Sequence, residues 1–383
     1  MKSICGVEGV TAAGMKEGRY GLALVAASGS AAAVFTSNRV KAAPLILMKE
    51  RIARGALDGI IVNSGCANAY TGDKGMQDAA LMSGIGAEAF RTDPERVGVA
   101  STGIIGRYLD LDIIGRQAQL VAPRVRSDPA AEVEAARAIM TTDLVEKHAL
   151  VRGDGFSVGG ICKGSGMIAP SMGTMIALLY TDADVTAPGL RQALRLATRR
   201  SFNRVVVDGD MSTNDIAICT ATGKAGRVPS AAFGSALEEC ARSLAIQIAR
   251  DGEGATKLIE MVVCGARTER GASKIARTIV ESPLLKTAVY GEDPNWGRVL
   301  AAAGRAGVEF DPDRVSLFIG VREERTPLLE EGKIVADLAK AKLAMKGREV
   351  RFELDLGQGE KEATAWGCDL TEKYVEINGR YTT

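Results

Sequence analysis

The sequence predicts an α/β (α+β) fold in which sheets pack with helices, and three observations carry that reading. Short apolar runs recur along the chain with helix-spaced stretches between them, apolar and charged residues alternate in a strand-like segment near the C-terminus, and helix-then-strand pairs follow one another in the second half. With 383 residues, 46% of them hydrophobic, the chain can bury a sizeable core. At roughly 100 to 200 residues per domain it should form two or three domains.

In chain order, the apolar segment Tyr20 to Phe35 reads as a first buried strand pair. The acidic Glu8 and Glu17 upstream and the glycine inside it fit a strand pair better than a secretory segment. The polar stretch Arg124 to Ala135 is a surface connection or the start of a helix, and Met175 to Leu179 opens a buried strand. From Pro188 the apolar residues Leu190, Leu194 and Ala197 fall at helical spacing, and the β-branched run Val205 to Val207 follows. A second such pair is formed by Phe233, Leu237, Cys240, Leu244 and Ile248, then Met261 to Val263. In Val350, Phe352, Leu354 and Leu356 apolar residues alternate with Arg351, Glu353 and Asp355, which predicts a strand with one wet face. The glycine-containing pieces DGEGATK and ATGKAGR lack a full phosphate-loop pattern and read as turns.

Composition narrows the functional classes. A formal net charge of +1 supplies no field for nucleic acid or an anionic membrane, and no apolar run reaches the ~18 residues of a membrane span. Seven scattered cysteines with no CxxC pair argue against a complete disulfide framework and for a reducing cytoplasm. The only histidine, His148, stands beside Glu146 and Lys147 and reads as a surface residue, so neither a His-based triad nor a metal site is expected.

Chemistry concentrates in GGICKGSGMIAPSMGTMIALLYTDADV from Gly159, where small residues and Lys163 surround Thr174. If the chain is cut before Thr174, the new α-amine, with a pKa of ~8 lowered by burial or a nearby cation, can serve as base for the threonine's own hydroxyl. Such a cut starts when the Thr174 hydroxyl attacks the carbonyl of Gly173, and glycine tolerates the backbone strain that the attack demands. On these residues alone, a glycine turn before a strand explains the segment equally well.

The segment KGSGMIAPSMGTM resembles the autocleavage site of the ornithine acetyltransferase family of arginine biosynthesis, also called glutamate N-acetyltransferase. FTSNRVKAAP from Phe35, NSGCANAYTG from Asn63, STGIIG from Ser101, MTTD from Met140, FNRVVVDGDMSTND from Phe202, GEDPNWGR from Gly291 and the C-terminal INGRYTT resemble further blocks of that family in family order.

The resemblance implies an α chain, residues 1–173, and a β chain, residues 174–383, that share the fold and assemble as α2β2. It implies that Thr174 is acetylated by N2-acetylornithine, releases ornithine, and passes the acetyl group to glutamate to give N-acetylglutamate. Thr102 and Gly103 then supply the oxyanion donors, Lys163 and one of Thr141 or Thr142 contact the substrate, Glu292 binds its free amine, and Asn378 and Thr383 complete the binding set. Read without the family, STG and GEDPNWG are turns, Lys163 is an exposed loop lysine, and Asp143 beside the threonines is a candidate helix cap.

No cofactor is expected, although acetyl-CoA is open as a second acetyl donor. The sequence departs from the family pattern at Cys66, Gly173 and Met211, which bears on substrate preference or cleavage rate. Two rival readings are a self-processing aminopeptidase or amidase with the same nucleophile, and a binding protein that keeps the scaffold without turnover.

Overall fold

A computed structural model describes residues 3–169, 175–320 and 324–380. They fall into two compact units, the first from Met1–Asn203 and Asp210–Leu244, the second from Arg204–Gly209 and Ala245–Thr382. Each is built on one mixed sheet flanked by helices, so the α/β reading holds.

The first unit's sheet contains β1 (Thr11–Glu17), β2 (Tyr20–Phe35), β3 (Ala56–Cys66), β4 (Val97–Ile104), β5 (Lys147–Arg152), β6 (Ser157–Lys163), β7 (Ile176–Asp184) and β9 (Ile216–Arg227). Its order is β4-β3-β2-β9-β7-β6-β5, with β1 also paired to β2. Successive side chains of a strand leave opposite faces, and both faces are covered. Ala23 and Val25 of β2 enter one core with Ile139, Leu178 and Ile218. Leu22 and Leu24 enter another with Met82, Val99 and Ile114.

The segment Tyr20 to Phe35 is a single long strand rather than a strand pair. Its register against β3 shifts between Ala26 and Gly29, and from Ser30 onward it pairs with β9. A Cβ on Gly29 would lie 1.9 Å from the Ala221 carbonyl oxygen, so only glycine lets β9 come this close to β2 here. ATGKAGR is likewise no turn but the end of β9, whose Gly223 and Gly226 take φ of 74° and 77°. The polar stretch after Arg124 does start a helix, Pro129–Ile139, because Asp128 caps it by accepting from the Ala131 amide at 2.8 Å with Pro129 in the first turn. His148 is half-buried on β5, with Nδ1 2.9 Å from Ser3 Oγ, and burial lowers its pKa.

The second unit's sheet contains β8 (Val205–Val206), β10 (Leu258–Ala266), β11 (Ser316–Ile319), β12 (Thr326–Glu330), β13 (Lys333–Ile334), β14 (Glu349–Asp355) and β15 (Lys361–Cys368), in the order β13-β12-β11-β14-β10-β15-β8. The alternation read around Val350 is realised in β14. Val350, Phe352 and Leu354 enter the core, while Arg351 on the other face pairs with Glu260 and Glu353. Helix Glu269–Val280, capped by the Thr268 hydroxyl on the Gly271 amide, lays Ile275, Ile279 and Val280 on the apolar face. Each such side chain contributes about 1.5 to 3 kcal/mol by burial. The predicted helices at Pro188 and Phe233 are Ala187–Arg200 and Ser230–Arg250. DGEGATK is the expected turn, with Gly254 at φ 70°. Among the described residues, no helix is long and apolar enough to cross a membrane.

Candidate active site

Two parallel strands open the site. β3 and β4 run side by side with Gly65 opposite Gly103, where φ is 102° and 131°. A Cβ on Gly103 would stand 2.4 Å from the Gly65 carbonyl carbon, so the strands approach this closely only because residue 103 is glycine, while a Cβ on Gly65 would meet the Arg19 carbonyl oxygen at 2.7 Å. STGI is therefore the end of a buried strand and not a turn, and it holds Thr102 at 1% exposure.

Lys163 ends β6 and is 2% exposed, so it is no loop lysine. Its ammonium donates to Thr141 Oγ1 at 2.7 Å and, at the long limit of a hydrogen bond, to Thr102 Oγ1 at 3.5 Å. A Thr102 hydroxyl that accepts from Lys163 keeps its own proton for another acceptor. Of the two candidate threonines, Thr141 is the one bonded to Lys163. Thr142 is half-buried beside it in the chain.

Asp143 caps no helix. Its Oδ1 accepts from Lys147 Nζ at 2.8 Å and from the Gly164 amide at 2.6 Å. Its Oδ2 accepts from the Thr141 amide at 3.1 Å and lies 3.9 Å from Lys163 Nζ. Burial opposes charge on this carboxyl, but the two lysines and the amide donors hold it well below the usual carboxylate range. Asp143 thus stands between two buried lysines, 2.8 Å from one ammonium and 3.9 Å from the other.

The start of β7 is fastened to the same region. Asn214 Nδ2 donates to the carbonyls of Ala67 at 2.7 Å and Ser101 at 2.8 Å, which ties the segment before β9 to the ends of β3 and β4. The next residue, Asp215, accepts the Met175 amide on Oδ1 at 2.9 Å. Gly173 and Thr174 lie outside the described residues, but Met175, Thr174's neighbour in the chain, is thus held against the segment that grips β4. The sequence reading gave Asp215 and Lys147 no role. Density of polar residues in MSTND ahead of the apolar run IAIC is the signal that marks a buried polar anchor there.

Glu292 and Asn378 belong to the second unit. GEDPNWG does form a turn, before helix Trp296–Gly304. Glu292 adopts φ of 56°, a left-handed conformation that costs roughly 1 to 2 kcal/mol outside glycine. Its carboxylate is 2.9 Å from Lys257 Nζ, which holds it below its ordinary pKa. Asn378 Nδ2 donates to Glu253 at 2.8 Å. Thr383 lies outside the described residues.

Cys66 is buried, with Sγ near the Arg107 and Tyr108 carbonyls at 3.3 and 3.4 Å. It lines a cavity of about 40 Å³ with Asn63 and Tyr108, and burial raises its pKa. Met211 receives Ser37 Oγ on its sulfur at 3.4 Å and Asn38 Nδ2 on its carbonyl at 2.9 Å. Among the described residues, no cluster of His, Cys, Asp and Glu has the arrangement of a metal site.

Comparison with known proteins gives this geometry its context. The ArgJ family model matches residues 7–383. The glutamate N-acetyltransferase of Methanosarcina mazei is 48% identical over 99% of this chain and 98% of its own length. The arginine biosynthesis bifunctional protein ArgJ of Symbiobacterium thermophilum is 49% identical over 92% of this chain and 90% of its own. A crystal structure of the protein of that name from Bacillus halodurans is 40% identical, covers 52% of this chain and 96% of that one, and superposes with a TM-score of 0.50. The mixed α/β fold and these relatives define an acyltransferase. The chain belongs to the ArgJ family, whose members act in arginine biosynthesis.

Proposed function

We propose that the chain is a glutamate N-acetyltransferase that cleaves itself between Gly173 and Thr174 and carries acetyl on Thr174. In the first half-reaction Thr174 Oγ bonds to the acetyl carbon of N2-acetylornithine, and its proton passes through the α-amine to the leaving nitrogen. The C–N bond breaks, ornithine departs, and an acetyl ester remains. In the second, the glutamate amine bonds to that carbon, the C–Oγ bond breaks, Oγ regains a proton, and N-acetylglutamate leaves.

The observation that carries this reading is the Thr102 hydroxyl, buried at the end of β4 and accepting from Lys163, which frees its proton for the oxyanion in company with the Gly103 amide. Lys163 and Thr141 contact the substrate, with Thr142 beside them, and Glu292 takes its free amine. Asn378 and Thr383 complete the binding set. The cut would fall between β6 and β7, and β7 is hydrogen-bonded to β6 and β9 to β2 across it, which supports fragments 1–173 and 174–383 staying together. The processed enzyme is an α2β2 assembly of the cytoplasm that needs no cofactor. Acetyl-CoA stays open as a further donor, since relatives are named both as bifunctional proteins and as glutamate N-acetyltransferases.

The test supplies N2-acetylornithine with and without glutamate. N-acetylglutamate should form far faster than free acetate, whereas equal release of acetate without glutamate means that water is the acceptor and the chain is an amidase.

A further inference from the structure

Lys16, Gly21, Ser64 and Thr102 stand opposite one another in β1, β2, β3 and β4, so a single row crosses the sheet and its side chains share one face. The end of helix Pro129–Ile139 lies over the middle of that row. A Cβ on Gly21 would stand 2.2 Å from the Ala138 carbonyl oxygen, which accepts from Ser64 Oγ at 2.7 Å. Two residues further along, the Met140 carbonyl accepts from the Lys16 ammonium. Thr141 follows, and its hydroxyl accepts from Lys163 at 2.7 Å. One ammonium thus meets the Met140–Thr141 pair at the carbonyl, and a second meets it at the hydroxyl.

Lys16 is exposed as a residue, yet burial of its ammonium lowers its pKa, and the charges that it feels are those of Asp143 and Lys163. Its neighbour Glu17 is taken by Arg116, and among the described residues no carboxylate lies within ion-pair distance of Lys16. An ammonium has three donors, and the Met140 carbonyl uses one. The Thr141 hydroxyl, which accepts from Lys163, likewise keeps its proton for an acceptor. The substrates of the proposed transfer supply that acceptor. N2-acetylornithine and glutamate share an α-carboxylate three bonds from the acetyl carbon in the transferring complex, and so within about 4 Å of it. With the acetyl oxygen on Thr102, the carboxylate falls beside Thr141. We propose that Lys16 is a specificity-determining residue that binds the α-carboxylate of donor and acceptor together with the Thr141 hydroxyl, while Lys163 holds Thr141 and Thr102 in place.

The inference rests on the acetyl-transfer reading of the site, and one experiment separates the two. Wild type, Lys16→Met and Lys16→Arg are assayed with N2-acetylornithine and with its α-carboxamide, glutamate being the acceptor. In a ping-pong reaction kcat/KM for the donor reports the first half-reaction alone. Lys16→Met should lower it at least about tenfold for the acid and less than about twofold for the amide, and Lys16→Arg should keep most of the activity on the acid. The ratio of acid to amide within one enzyme does not depend on how much of it is folded, so a merely structural role lowers both alike. Equal losses on acid and amide, or no loss on the acid, overturn the Lys16 assignment and leave the transferase standing. A wild type that transfers no acetyl overturns both. Should the amide react too slowly to follow, its inhibition constant against N2-acetylornithine replaces the rate: the same value in wild type and Lys16→Met supports the assignment, and a loss as large as that for the acid refutes it.

Discussion

The Lys163 ammonium donates to the Thr141 hydroxyl at 2.7 Å, and that bond distinguishes two adjacent threonines which the sequence leaves equivalent. A hydrogen bond to a charged group is worth about 1.5 to 3 kcal/mol, so Thr141→Val should lower kcat/KM at least about tenfold. Thr142→Val should stay within about threefold of wild type on the same scale. Steady-state kinetics with N2-acetylornithine checks both.

Thr102 and Gly103 should fail in different ways. Thr102→Val keeps the shape of the strand and removes one proposed oxyanion donor, which predicts a loss of about 100- to 1,000-fold in kcat with an unchanged melting temperature. Gly103→Ala forces a Cβ to 2.4 Å from the Gly65 carbonyl carbon at φ of 131°, so the protein itself should melt several degrees lower. Equal melting temperatures for the two variants would contradict the strand geometry.

Asp143 is the buried counter-ion of Lys147 and Lys163, and Asp143→Asn should cost about 3 to 5 kcal/mol at neutral pH because both cations lose it. The folded pKa lies below the unfolded value of ~3.9, so this stabilisation is complete above pH ~4 and fades as the carboxylate protonates in more acid solution. Denaturant titrations should show the gap between variant and wild type narrowing from pH 7 to pH 3. A gap that widens would mean that Asp143 is not the ionised partner.

Lys257 pairs with Glu292 and lowers its pKa, and in the proposed function this carboxylate takes the substrate amine. Glu292→Gln should raise KM for N2-acetylornithine several-fold and change kcat less, as expected when binding is lost in ground and transition states alike.

Much of the fold was legible because period and breakers act locally. The alternation at Val350–Leu356 and the helical spacing from Pro188 became the elements they predict, and the stretch from Arg124, read as a surface connection or a helix start, does start a helix. The misreadings arose where glycine serves a long-range contact. Gly29, Gly103 and the glycines of β9 look like turn residues in one dimension, yet they lie within strands, and at Gly29 and Gly103 they let neighbouring backbones approach. The site shows the same division. Family blocks pointed to Thr102, Lys163 and Thr141, which the fold gathers into one cluster. Asp143, Lys147 and Asp215 were passed over because local pattern makes a charged residue look like a cap or a wet surface, and only strand pairing shows it to be buried.

Thr174 as acetyl carrier is tested most directly by intact mass. Purified protein should appear as fragments 1–173 and 174–383. Brief incubation with N2-acetylornithine in the absence of glutamate should add one acetyl group to the second fragment at Thr174, and glutamate should then remove it. A single uncleaved chain with full transferase activity, or a second fragment that never gains acetyl during turnover, would contradict the account.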